Sequence, residues 1–116
     1  MQNRLNYLTL AVFAPILLLT GIAGMFGPSP GGLMSNEVPY NVLHIVFGAL
    51  GVVLVLGKRP ELIRAFNIGF GLIDLYQLVA SLAGIFPAEQ FQWRRGDDIL
   101  HLVVGVALVV IGLSRR

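Results

Sequence analysis

The sequence predicts an all-α polytopic membrane protein, with four transmembrane helices arranged as two tandem hairpin repeats, about residues 5–57 and 62–113 of a single domain 1–116. Three observations carry this reading. The chain is 56% apolar and 12% charged with a mean hydropathy of +0.81, far from soluble composition. Four apolar stretches, roughly Leu5–Phe26, Tyr40–Gly57, Leu62–Phe86 and Asp98–Leu113, approach the ~17–25 residues that cross a ~30 Å hydrocarbon core. One pattern occurs twice, 57 residues apart, and holds both histidines: Asn41-Val-Leu-His44-Ile-Val-Phe-Gly48 and Asp98-Ile-Leu-His101-Leu-Val-Val-Gly105.

The first span has an apolar run of about 22 residues, longer than the ~7–15-residue core of a signal peptide, and is expected to persist as a helix. The Pro, Gly and Asn content of Gly27 to Pro39 marks a loop. After the second span, Gly57-Lys-Arg-Pro60-Glu61 reads as a tight turn. Pro60 suits a first helical turn, where its missing N–H costs nothing, and Glu61 suits the helix dipole there. The third span ends in Ser81-Leu-Ala-Gly84-Ile-Phe86, similar to Gly21-Ile-Ala-Gly24-Met-Phe26 at the end of the first and 60 residues from it. The duplication therefore covers whole hairpins, and the first outer loop is three residues longer. Repeats of the same orientation imply a pseudo-two-fold along the membrane normal, with equivalent residues at equal depth. Pro87 to Gly96 form the last connection, where Phe91 and Trp93 fit an interfacial aromatic belt.

The eight Lys and Arg lie at span ends and form no stripe, so the net charge of +2 gives no nucleic-acid signature. Arg4, Lys58, Arg59, Arg64, Arg115 and Arg116 fall on one side, and only Arg94 and Arg95 on the other. Positive-inside counting then puts both termini in the cytoplasm and the histidines near the outer face, as expected of a multi-pass protein of the bacterial inner membrane or a related energy-transducing membrane. With no Cys, disulfides, thiol nucleophiles and iron–sulfur ligation are excluded.

Polar groups inside spans are costly and tend to face the bundle interior. On a helix Asn41, His44 and Gly48 share one face, as do Asp98, His101 and Gly105. One reading has Asn41 and Asp98 capping helix starts while each imidazole bonds a neighbouring helix. The other has His44 and His101 ligating a haem or chlorophyll-type pigment from opposite sides, with Gly48 and Gly105 leaving room for the macrocycle. A zinc site is weaker, since two His and Asp98 make only three of four ligands. Asp97 with Arg94 or Arg95 reads as a solvated salt-bridge cluster of little energetic weight. Asp74 is the one acidic residue deep in a span, near the midplane, with Tyr76 and Gln77 beside it. A proton or ion role is one reading; a bond to the Ala11 carbonyl freed by Pro15 is the other. At this depth a contact between Asp74 and either histidine requires helix sliding or a kink. Gly48, Gly51, Gly69, Gly71, Gly84, Gly105 and Gly112 are expected to serve close helix packing.

The paired Asn/Asp-x-x-His-x-x-x-Gly helix starts, the Phe-Asn-x-Gly-x-Gly third span and the Leu-x-x-Gly C-terminal end resemble the bacterial domain-of-unknown-function family four-three-eight-three. The resemblance implies a small four-helix membrane protein. It aligns His44, Gly48 and Gly51 with the second-helix pattern, and Asp98, His101 and Gly105 with the fourth; Asp74 departs from it. It implies no activity. No catalytic constellation, no phosphate-cradling Gly loop beside a Lys and no paired carboxylates within one span stand in the sequence. The leading expectation is therefore a non-enzymatic accessory subunit, bounded by lipid and packed against other integral membrane proteins. A pigment carrier using His44 and His101, and a proton or ion pathway using Asp74, are the alternatives. Reporter fusions are expected to place Lys58 in the cytoplasm and Trp93 on the opposite side; a common side for both would end the two-hairpin topology.

Overall fold

The computed structural model describes residues 3–27 and 32–114. Arg115 and Arg116 of the charge count, and part of the first loop, lie outside the described residues. Of the described residues 82% are helical and none forms a strand. Four long helices, α1 (Arg4–Gly24), α2 (Val38–Gly57), α3 (Pro60–Ala83) and α5 (Arg95–Leu113), are apolar and long enough to cross a membrane. A one-turn helix α4 (Ala88–Phe91) stands in the last connection. The longest extent is 41 Å, matching the ~40–45 Å of a bilayer with its headgroups.

The helix ends follow local chemistry. Pro60 opens α3 with Glu61 in its first turn, as the sequence predicts. At the far end of α3, Gly84 adopts φ 68° and closes the helix. Lys58, rather than Gly57, takes the left-handed position that ends α2, at φ 54°. Asn41 and Asp98 are not caps, because α2 and α5 begin earlier. Their N-cap residues are Glu37 and Arg94, which leaves Asn41 and Asp98 one turn inside.

Helix pairing follows the repeat. The heaviest packing joins α1 to α2 and α3 to α5; α1 and α3 meet between the hairpins, with thinner contacts of α2 on α3 and α1 on α5. Lipid tails are as apolar as Leu, so burial alone does not drive this association, and close backbone approach is needed. Glycines provide it within each hairpin. A Cβ on Gly48 would fall on the backbone of Leu18, and one on Gly21 would lie 2.7 Å from the Asn41 carbonyl. Across the second hairpin, Gly71 and Gly105 face each other's carbonyl oxygens, at 2.9 and 3.0 Å from the position of an added Cβ. Gly69 and Gly84 have nothing within 4 Å of that position, so neither serves packing.

Between hairpins the adhesive is different. Leu10, Ala14, Leu17, Ile63, Phe66, Phe70 and Leu108 form a buried core. Phe70 sits amid Phe66, Phe47 and Phe13, with ring centroids 5.6, 5.0 and 5.9 Å away. At one end the fully buried Asn6 donates from Nδ2 to the carbonyls of Ile111 and Ser114, both at 3.1 Å. It accepts from Asn67 Nδ2 at its own Oδ1, 3.0 Å away. At the other end the connecting node is Asp97.

Gly48→Ala is expected to lower stability by ~1–3 kcal/mol through overpacking on Leu18. Gly69→Ala, on an open helix flank, should be neutral or slightly stabilising. Thermal unfolding of both variants in one detergent checks the contrast.

Candidate functional site

Asp97 is 0% exposed, so the expectation of a solvated surface cluster is corrected. The physical reason is its place in the third helical position of α5. From there Oδ2 reaches back to accept from the Arg94 backbone N–H at 2.9 Å, half of a capping box. The same oxygen accepts from the Ser35 N–H at 2.8 Å, and Oδ1 accepts from the Tyr40 hydroxyl at 2.5 Å. The Ser35 hydroxyl in turn donates to the Phe91 carbonyl, and Arg94 Nη1 donates to the Gly32 carbonyl at 3.0 Å. One carboxylate thus ties α5, α2 and the first loop together. Tyr40 and Asp97 are themselves repeat equivalents, 57 residues apart, so their bond joins the two hairpins at matching positions.

Below this node lies a crevice of about 230 Å³ between α1 and α5. His44, His101 and Asp74 all line it, together with Tyr40. The remaining wall is mostly apolar, from residues such as Phe13, Leu17, Phe70 and Val104. Ile16 and Leu100, 56% and 43% exposed, form its rim, so it opens sideways between the helices. No sliding or kink is needed to bring Asp74 and the histidines to one space. They share it without bonding one another.

Each polar group is held differently. The Nδ1–H of His44 donates to the Tyr40 carbonyl one turn earlier at 2.8 Å, and the ring lies 4.3 Å from the Tyr40 ring. Since a carbonyl only accepts, this bond places a proton on Nδ1 and leaves Nε2 free of that bond. His101 is 6% exposed, packs edge-on against Trp93 at 5.8 Å, and its buried Nδ1 has no hydrogen-bond partner. Asp74 is 4% exposed and accepts at Oδ1 from Gln77 Nε2, 3.2 Å away on the same helix. That bond replaces the expected one to Ala11. Asn41 is buried against Gly21 and Gly24 of α1, and Asp98 has a buried Oδ1 without a partner; neither lines the crevice.

Gly48 and Gly105 do not line it either, because each faces its own hairpin partner. The space they would clear for a macrocycle is filled by Leu18 on one side, and by Gly71 and Leu75 on the other. Toward the opposite end the crevice is closed by the buried core around Leu10, Ala14 and Phe66. Among the described residues no group of three or more His, Asp or Glu is placed to hold a metal ion.

Neither a family model, nor a curated protein, nor a solved structure matches this chain.

Removing the Asp97 carboxylate leaves two backbone N–H groups and the Tyr40 hydroxyl without their acceptor, at ~1–3 kcal/mol per buried group. Asp97→Ala is therefore expected to destabilise the protein far more than Tyr40→Phe, which loses one interhelical bond worth ~0.6 to ~1.7 kcal/mol. Denaturation in mixed micelles ranks the two; equal costs would remove Asp97 from its place as the node.

Proposed function

We propose that this chain is a membrane-embedded binding protein, whose crevice takes a small lipophilic molecule carrying one hydrogen-bonding head. The observation that carries the reading is the convergence of Asp74, His44 and His101, from three helices, on one mostly apolar crevice. Sites of this kind are concave, mostly apolar, and orient the ligand with a few polar groups. Here the unpartnered Nδ1 of His101 adds hydrogen-bonding capacity to the residues that line the crevice. The sideways opening suits a ligand arriving through the lipid rather than through water.

The same features weigh against the other two cofactor and transport readings. A bis-His macrocycle requires the faces of Gly48 and Gly105, which protein fills. A proton or ion pathway requires a polar route past Asp74, where Leu10, Ala14, Phe66 and Phe70 pack instead. An accessory role beside other integral membrane proteins is the second reading. It is favoured by the long apolar flanks, such as Val12, Leu19, Val53 and Leu56, each at least 62% exposed, which lipid or a partner helix covers. The resemblance to family four-three-eight-three and the placement of both termini in the cytoplasm of a bacterial inner membrane belong to this proposal.

Trp93 is the only tryptophan and touches His101, which makes it an internal reporter of occupancy. Titration of the purified protein with decylamine or decanol is expected to give a saturable change in Trp93 emission. In Asp74→Leu and in His101→Phe the apparent affinity for at least one of the two probes should fall by about ten-fold, the effect of losing ~1.4 kcal/mol. Identical titrations in wild type and both variants would refute a ligand crevice.

A further inference from the structure

A second cavity lies at the opposite end of the bundle and shares no residue with the crevice. It has a volume of about 360 Å³, where α1 begins and α2 turns into α3, and Asn3, Arg4, Tyr7, Leu8, Lys58 and Ile63 line it. Its chemistry is graded. Two cations, Arg4 and Lys58, stand at the helix ends, and neither has an ion-pair partner among the described residues; the Arg59–Glu61 contact at 3.7 Å engages neither. Deeper along the bundle the wall becomes Leu8, 47% exposed toward the lipid side, and the fully packed Ile63.

Lys58 supplies an independent observation. It occupies the left-handed position that ends α2, at φ 54°, where glycine is the unstrained residue. A glycine stands immediately before it. The chain accepts a strained backbone to place an ammonium at this point, and strain of this kind concentrates where a side chain has a task.

We propose that this cavity binds the phosphate-bearing head of an anionic phospholipid, held by Arg4 and Lys58, with an acyl chain lying over Leu8. Unpaired cations above an apolar wall match the two halves of such a lipid, and basic pockets between transmembrane helices are suited to these heads. The N–H groups of the first turn of α1 add positive potential on the same side. The wall favours a lipid over a free anion, because inorganic phosphate has no use for Leu8.

The test counts lipids retained by the purified protein after exposure to vesicles of equal parts phosphatidylglycerol and phosphatidylcholine, read by native mass spectrometry. Wild type should retain phosphatidylglycerol preferentially. Arg4→Gln and Lys58→Gly should each lower that preference roughly five-fold, and the double variant about thirty-fold, as expected for two juxtamembrane cations. Lys58→Gly suits the left-handed backbone and Arg4 is exposed, so both variants retain the fold, which circular dichroism verifies. Equal retention of the two lipids by wild type, or an unchanged preference in the double variant, overturns the proposal. So does displacement of phosphatidylglycerol by excess inorganic phosphate, since the site would then belong to a free anion. The Trp93 titration at the other end is independent of all three outcomes.

Discussion

The structure depends on one buried carboxylate accepting three hydrogen bonds. Asp97 fixes the start of α5 through the Arg94 N–H, holds α2 through the Tyr40 hydroxyl, and pins the first loop through the Ser35 N–H. A carboxylate in lipid surroundings is costly unless its oxygens are engaged, and these three donors engage them. The consequence is geometric. With α5 and α2 tied at this level, His101 and His44, one turn further along each helix, enter the interior at the same depth.

Two kinds of adhesion divide the labour. Inside each hairpin, glycines let backbones approach until side chains of the partner fill the gap, as Leu18 does over Gly48. Between hairpins there are fewer close approaches, and polar clamps at the two ends take over, Asp97 with Tyr40 at one and Asn6 with Asn67 at the other. The aromatic cluster around Phe70 fills the middle. Joining two hairpins mainly at their ends and centre leaves room along the flank between α1 and α5. The crevice is thus a product of how the hairpins are joined.

The four spans, the turn at Pro60 and the doubling of the hairpin were legible because hydropathy and spacing encode them directly. Membrane helices must satisfy their own backbone, so a long apolar run has few alternatives. Neither Asn41 nor Asp98 is a cap: α2 starts at Val38 with Pro39 in its first turn, and at α5 the Arg94 N–H is taken by Asp97 from inside the first turn. The charge-rich context Arg94-Arg95-Gly96-Asp97-Asp98 suggested a wet surface, and nothing local reveals that Tyr40 and Ser35 arrive to bury it. A signal did exist in the repeat, whose register pairs Tyr40 with Asp97. The crevice itself was out of reach, because the meeting of Asp74 with the histidines depends on the crossing of helices, and residue spacing along single helices is silent on that.

The site is one-sided despite the duplication. The repeat registers relate Phe13 and Val104 of the crevice to Ile73 and Phe47, and those two line a second crevice of about 300 Å³ between α2 and α3. The other residues lining the first crevice have no counterpart in the second, and Phe70 borders both. The second is lined by residues such as Leu50, Leu54, Leu62 and Phe66, with no ionisable group. Asp74 belongs to the first, and its counterpart in α1 is Ala14, a fully buried core residue. The two clefts thus differ in chemistry and, for the most part, in the repeat positions that line them. Aromatic and aliphatic side chains make one cleft indistinguishable in chemistry from the surrounding lipid, whereas a carboxyl and two imidazoles give the other hydrogen-bonding groups that lipid tails lack.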